Sequence, residues 1–250
     1  MPRNLIIIQA RLSSTRLPGK VLKPLIGEQC LLDLQLEALK KLDIPFVLAT
    51  SSNQADDLLE AWAQKNQVEC FRGEEYNVLQ RFIDCAEHYN AKQLVRVCSD
   101  NPFLQFGQAS HYMNELSNGV DYISFCNADG TPAIRTHWGL FVEGVSLSAL
   151  KRALVLLQNH DQRDFYSEHV TNFIYGNPNE FNVVLEEAPS AILHRNDLRF
   201  TIDTPADFEN MHSLLQLANS NASLEQLIEL VDANPKIKLI MREGIDQFNK

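Results

Sequence analysis

The sequence predicts an α/β fold on a doubly wound, mostly parallel sheet, and three observations predict it. Short β-branched runs alternate with stretches of helical periodicity through the first hundred residues. The first run, Leu5 to Ile8, is apolar without alternation, as in a central strand covered on both faces. Polar, chemistry-bearing residues follow the ends of the strands: Arg11 after the first, Asp100 after the fourth. In open α/β sheets, ligands bind beyond the carboxyl ends of strands near a topological switch.

Taken in order, Leu5 to Ile8 leads into a basic, hydroxyl-rich loop through Lys23, and Leu32, Leu36 and Leu39 then repeat at helical spacing up to Lys40-Lys41. Pro45 to Thr50 reads as a second strand. Ser51 to Asn53 caps a helix whose stripe is Leu58, Leu59, Trp62 and Ala63. Val68 to Phe71 is the third strand, and Asn77 caps a helix facing inward with Leu79, Phe82, Ile83 and Ala86. Leu94 to Cys98 is the fourth, ending in Ser99-Asp100-Asn101-Pro102. From 127 to 189 the rhythm changes. Strand-like pieces (Tyr122 to Phe125, Leu140 to Val142, Phe181 to Leu185) alternate with helical ones (Leu147 to Leu157, Phe165 to Ile174). We read this segment as an α+β insertion into one domain spanning 1–250, covering the site and supplying a dimer interface. The sheet is expected to resume at Leu198 to Ile202, followed by Asp203 and a helix capped by Thr204, Pro205 and Asp207. A last helix opens with a capping box, Ser223-Leu224-Glu225-Gln226, and ends near Asn234-Pro235.

Composition narrows the classes. The chain has 250 residues, 45% hydrophobic, with a formal charge of −10, so it can bury a large core and carries no extended basic face for nucleic acid. Five cysteines without a C-x-x-C pattern argue against a disulfide framework or structural zinc. The first apolar run is broken by Gln9 and Arg11, and no run approaches a membrane span, so a cytoplasmic protein is expected.

Against the acidic total, Arg3, Arg11, Arg16, Lys20 and Lys23 all precede the first acid, Glu28. Pro18-Gly19 forces a turn that folds Lys20 back toward the arginines. Guanidinium forks, an ammonium and the Ser14 hydroxyl leaving one strand end suit a triphosphate. The loop matches neither G-x-x-x-x-G-K-[ST] nor G-x-G-x-x-G. Asp100 and Asp203 each follow an apolar strand and precede a proline-marked turn. Two carboxylates facing a basic loop fit Mg2+ held jointly with substrate phosphates. Each also has a plainer reading, Asp203 as a strand terminator beside a cap and Asp100 in an Asx-turn.

The string IIIQARLSSTRLPGKVL resembles the N-terminal signature of the acidic-sugar cytidylyltransferases, the CMP-sialic acid and CMP-ketodeoxyoctonate synthetases. With RGEEYNVLQRF, VRVCSDNPF, GLFVE, SEHVTNFIY and LRFTIDTPADFE in order, it is most similar to the spore-coat polysaccharide biosynthesis protein F branch. The resemblance implies a Rossmann-like nucleotide-diphospho-sugar transferase sheet and a homodimer. It implies that Arg11, Ser14, Arg16 and Lys20 bind the CTP phosphates, with Ala10 and Leu12 in the same nucleotide-binding stretch, and that Asp100 and Asp203 hold magnesium. A sugar hydroxyl would attack the α-phosphorus and pyrophosphate would leave. Arg72 is implied at the nucleotide, or is an ordinary surface arginine. Glu143 and His169 stand as acceptor-sugar contacts, or as a strand-ending acid and a structural histidine.

The sequence departs from the pattern in two places. Cys98 replaces a glutamine of the ketodeoxyoctonate enzymes, and Trp138 and Phe141 stand where the spore-coat branch carries acids. Two other classes therefore compete: a nucleotide-sugar glycosyltransferase, which would want an Asp-x-Asp of which Ser99-Asp100-Asn101 is half, and a nucleotide-binding homologue without turnover.

Overall fold

The computed structural model describes residues 3–218 and 222–248. Among the described residues, seven strands form one sheet in the order β3-β2-β1-β4-β6-β5-β7. β1 (Arg3–Gln9) lies between β2 (Phe46–Ser51) and β4 (Ala91–Cys98), parallel to both, and β3 (Glu69–Gly73) extends the parallel half beyond β2. β6 (Glu143–Ser146) runs antiparallel between β4 and β5 (Tyr122–Cys126), and β7 (Val183–Glu187) closes the far edge parallel to β5.

The unalternating run of β1 is explained by cover on both faces. Ile6 and Ile8 pack with α1 (Leu31–Leu39), α2 (Asp57–Lys65) and α4 (Ala109–Ser117). Leu5 and Ile7 pack with α3 (Val78–His88), α5 (Leu147–Leu156) and α7 (Asn172–Tyr175). The chain builds outward from β1 to β3, then returns to β4 on the other side. The switch point therefore lies between β1 and β4, where Gln9 stands opposite Cys98.

A third apolar cluster joins Trp138, Leu140, Leu198, Phe200 and Ile202 to α8 (Pro205–Leu217), α9 (Leu224–Ala233) and α10 (Pro235–Gln247). It accounts for one correction. Leu198 to Ile202 is not a strand of the sheet. Phe200 N–H donates to the Trp138 carbonyl and Ile202 N–H to the Asp100 carbonyl, two single tethers in place of a ladder. The apolar residues of this segment are buried against the C-terminal helices instead. The sheet is completed from within 127–189, which contributes β6 and β7.

Other boundaries also move. Leu140 to Val142 makes one bridge, through Phe141 to Gln105, and the strand proper begins at Glu143. Phe165 to Ile174 is not continuous: α6 (Arg163–Glu168) and α7 are separated at His169–Thr171, where the buried Thr171 hydroxyl donates to Glu143 instead of facing outward on a helix. α4 and α10 were not anticipated from the pattern; Pro235 opens α10 as its first residue rather than ending the chain's helices.

Candidate active site

The loop after β1 is pinned at both ends. Ala10 N–H donates to the Ala49 carbonyl, and Leu12 N–H donates to Asp56 Oδ1 at 2.8 Å. Gly19, at φ +69°, donates back to the Leu12 carbonyl, so the Pro18-Gly19 turn folds as the sequence suggests. The next two residues then turn inward. Val21 is buried in the core, and Lys20, 8% exposed, points into the cleft.

Lys20 is the centre of the arrangement. Its ammonium lies 3.3 Å from Asp100 Oδ2, 3.3 Å from Asp203 Oδ1 and within bonding distance of the Ile202 carbonyl. Arg16 donates to the same Asp203 Oδ1 at 2.9 Å, while Arg199 donates to Oδ2 at 2.9 Å. Arg199 is buried and forks onto Asp207 at 3.0 and 3.1 Å. Asp207 in turn accepts from the backbone of Asp203 and Thr204, in the capping box that starts α8. The cap and the carboxylate of Asp203 are thus one hydrogen-bonded unit. Burial pushes the Asp203 carboxyl up, but Lys20, Arg16 and Arg199 outweigh it and pull its pKa down to about 2.

A cleft of about 320 Å³ opens over these groups, with Ala10, Arg11, Ser14, Arg16, Lys20, Asp100, His169 and Asp203 in its walls. Arg11 reaches across its mouth to Glu168 Oε1 at 2.7 Å, at the end of α6. Burial lowers the pKa of His169 below the ordinary histidine value; Glu168 opposes, and Arg96, Arg11 and Arg135 add to the lowering. Its neutral form is therefore the one favoured at neutral pH.

Three expected positions lie elsewhere. Leu12 packs its side chain on the core, with its N–H bonded to Asp56 and its carbonyl to Gly19 N–H. Arg72 is held outside the cleft by Asp57 at 2.6 Å, Glu60 at 2.9 Å and the carbonyls of Ser51 and Asn53. Glu143 is buried beneath the cleft, its oxygens engaged by Arg96 at 2.5 Å, Tyr122 at 2.7 Å and Thr171 at 2.9 Å. Three donors already engage this buried acid, and it does not line the cleft.

Sequence reasoning missed Gln9, Arg96 and Glu168 among the lining residues. Arg96 had a visible signal, a charge inside the apolar strand Leu94-Val95-Arg96-Val97. Glu168 had none, because its partner Arg11 lies far away in sequence. The two aromatic departures separate. Trp138 is core, 1% exposed, with its indole N–H on the Arg195 carbonyl at 2.9 Å. Phe141 lines a side pocket of about 80 Å³ that shares Cys98 and Asp100 with the cleft.

Among the described residues no three His, Cys, Asp or Glu side chains form a self-sufficient metal cage. The donor set is instead two carboxylates converging on one ammonium beside a row of cations. Such a pair fits a hard divalent ion completed by phosphate oxygens and water. The arrangement can hold a polyphosphate, balance its charge and direct its leaving end toward Lys20 and Arg16.

Comparison with known proteins follows the same lines. Residues 5–230 match the family described as cytidylyltransferase. The chain is 36% identical over 239 residues to an uncharacterised protein of Methanocaldococcus jannaschii, covering 94% of this chain and 92% of that one. It is 34% identical over 241 residues to the spore coat polysaccharide biosynthesis protein SpsF of Bacillus subtilis, covering 92% and 95%. A solved cytidylyltransferase from Leptospira borgpetersenii superposes with a TM-score of 0.80 at 29% identity, covering 95% and 97%. With a nucleotide-diphospho-sugar transferase-like sheet, a matching family over most of its length and relatives above 30% identity, this chain is a nucleotidyltransferase of the cytidylyltransferase family.

Proposed function

We propose that the chain transfers CMP from CTP to a hydroxyl of an acidic sugar, with magnesium and with release of pyrophosphate, for surface polysaccharide or glycan assembly. The observation that carries this reading is the Lys20 ammonium shared between Asp100 and Asp203 in a cleft that also holds Arg11, Ser14 and Arg16. Arg11, Arg16 and Ser14 bind the triphosphate, and Lys20 turns from the carboxylates toward the departing pyrophosphate. Asp100 and Asp203 would hold the magnesium, which would polarise the α-phosphate. The acceptor hydroxyl oxygen bonds to the α-phosphorus, its proton passing to solvent, as the bond from the α-phosphorus to the bridging oxygen of the β-phosphate breaks and pyrophosphate leaves; positioning and charge neutralisation carry the rate, with no covalent intermediate on the protein. His169 borders the acceptor, and the small pocket beside Phe141 is where its substituents rest. The kinship to a polysaccharide biosynthesis protein supports a sugar as acceptor. We further propose a cytoplasmic homodimer, with its interface on the 127–189 segment.

The test is thermal stabilisation by CTP, ATP, GTP, UTP and UDP-sugars with magnesium, followed by pyrophosphate release with acidic sugars. A selective CTP shift and sugar-dependent pyrophosphate release are expected. A shift with UDP-sugars alone would point to a glycosyltransferase, and binding of CTP without turnover on any acid sugar would favour a non-catalytic homologue.

A further inference from the structure

α10 contributes no residue to the cleft lining, yet its C-terminal end touches the groups that hold the cleft together. The ring of Phe248, which caps α10, has its centroid 4.8 Å from the Arg16 guanidinium carbon and 5.5 Å from that of Arg199. These two arginines grip opposite oxygens of Asp203, Arg16 on Oδ1 and Arg199 on Oδ2. One turn earlier, a methyl on Gly244 would lie 3.0 Å from both Cδ and Nε of Arg199 and 3.3 Å from Asp207 Oδ1. Phe248 is not among the side chains of the three apolar clusters, and its ring faces two guanidinium groups.

We propose that Phe248 and Gly244 are positioning residues for the phosphate site: the ring fixes Arg16 for a triphosphate, and the bare glycine lets α10 close onto Arg199. The inference rests on reading the cleft as a triphosphate site. Arg16 needs such support more than its neighbours do. Its side chain is half exposed, whereas that of Lys20 is 10% exposed and anchored by three acceptors. A long exposed arginine has many rotamers, and a planar guanidinium stacked on an aromatic face keeps few of them. Arg199 is already immobilised by Asp203 and Asp207, so it cannot yield to a methyl at Gly244 without carrying Asp203 with it.

The experiment compares the parent chain with Phe248→Leu, Phe248→Trp and Gly244→Ala, using inorganic tripolyphosphate and CTP as calorimetric titrants and melting each protein without ligand. Phe248→Leu keeps apolar volume and loses the π face. It is expected to melt like the parent and to bind both probes about two- to fivefold more weakly, the scale of an exposed cation–π contact. Phe248→Trp is expected to restore parent affinity. Gly244→Ala is expected to weaken both probes as well as melt earlier; an earlier melt with parent affinity would make it purely structural and overturn its part. Parent affinity in Phe248→Leu, or no recovery in Phe248→Trp, overturns the role of the ring. If the parent itself binds neither probe, the functional reading falls and this proposal with it, an outcome distinct from a parent that binds and variants that do not differ.

Discussion

Asp203 is the residue on which most of the site's charge converges, and its behaviour with pH follows from that. Its carboxyl titrates near 2 in the folded chain against about 3.9 in an unfolded one. The folded value is depressed, so its contribution to stability is complete above the unfolded pKa and is lost as pH falls toward 2. For this largely buried group the contribution is about 2 kcal/mol at pH 7. Asp203→Asn keeps the shape and removes the charge. Urea unfolding should therefore show the variant less stable at pH 7 by about that amount, with the gap to the parent closing between pH 4 and pH 2. A gap that stays constant with pH would mean that the carboxylate's pairing contributes nothing. The same variant should lose magnesium-dependent turnover while still binding CTP through the loop. Cys98 permits a second residue-scale check. Burial raises the thiols of Cys30 and Cys85 to about 12 and that of Cys70 to about 11, and of the five cysteines Cys98 alone lines the cleft. Thiol alkylation of the native protein should fall first on Cys98, and CTP should slow it; labelling unaffected by CTP would place the nucleotide away from β4.

Turns carry more of the site than helices or strands do. Gly139 sits at φ +61°, where a methyl would lie 2.4 Å from Thr201 Oγ1, 2.6 Å from Asn101 Oδ1 and 3.0 Å from Thr201 N. It joins the 138–141 loop to two segments at once, that carrying Asp100 and Asn101 and that carrying Thr201 to Asp203. Gly139→Ala is therefore expected to cost about 2 kcal/mol or more, combining strained backbone with contacts that cannot relax. Melting would show the loss, and CTP affinity should fall too, because Asp100 and Asp203 are displaced. The helices show what was readable. The Thr204–Asp207 and Ser223–Gln226 capping boxes and the Asn77 cap form where the sequence places them, since each depends on neighbours a few residues away. The break between α6 and α7 was not readable, since it depends on Glu143, buried 28 residues before Thr171 in the chain. Arg72 shows the converse: the resemblance implies it at a nucleotide, but it lies within β3 and is held by Asp57 and Glu60 of α2.

At the scale of the whole molecule, the sheet and the site are legible to different depths. Local physics determines the parallel half: unalternating strands, amphipathic helices and the basic turn after β1 are written in adjacent residues, and with them the loop that lines the cleft. The second half reverses that ease. Residues 198–202 have the apolar pattern of a strand, but the pattern reports only that one side must be buried. The C-terminal helices, rather than a neighbouring strand, do the burying. By itself the sequence determined the fold class and the basic loop after β1, because residue type and local spacing suffice for those, and it singled out Asp100 and Asp203, which the structure brings within 3.3 Å of Lys20. Only the tertiary structure decided that Lys20 bridges the two aspartates, that Arg199 ties Asp203 to the α8 cap, that Glu143 is spent on Arg96, and that Phe248 sits against Arg16. The Arg199 fork reaches only 4 and 8 positions along the chain, but the other three are contacts between residues 47 to 232 positions apart, set by how the layers close over one another, which no local periodicity records.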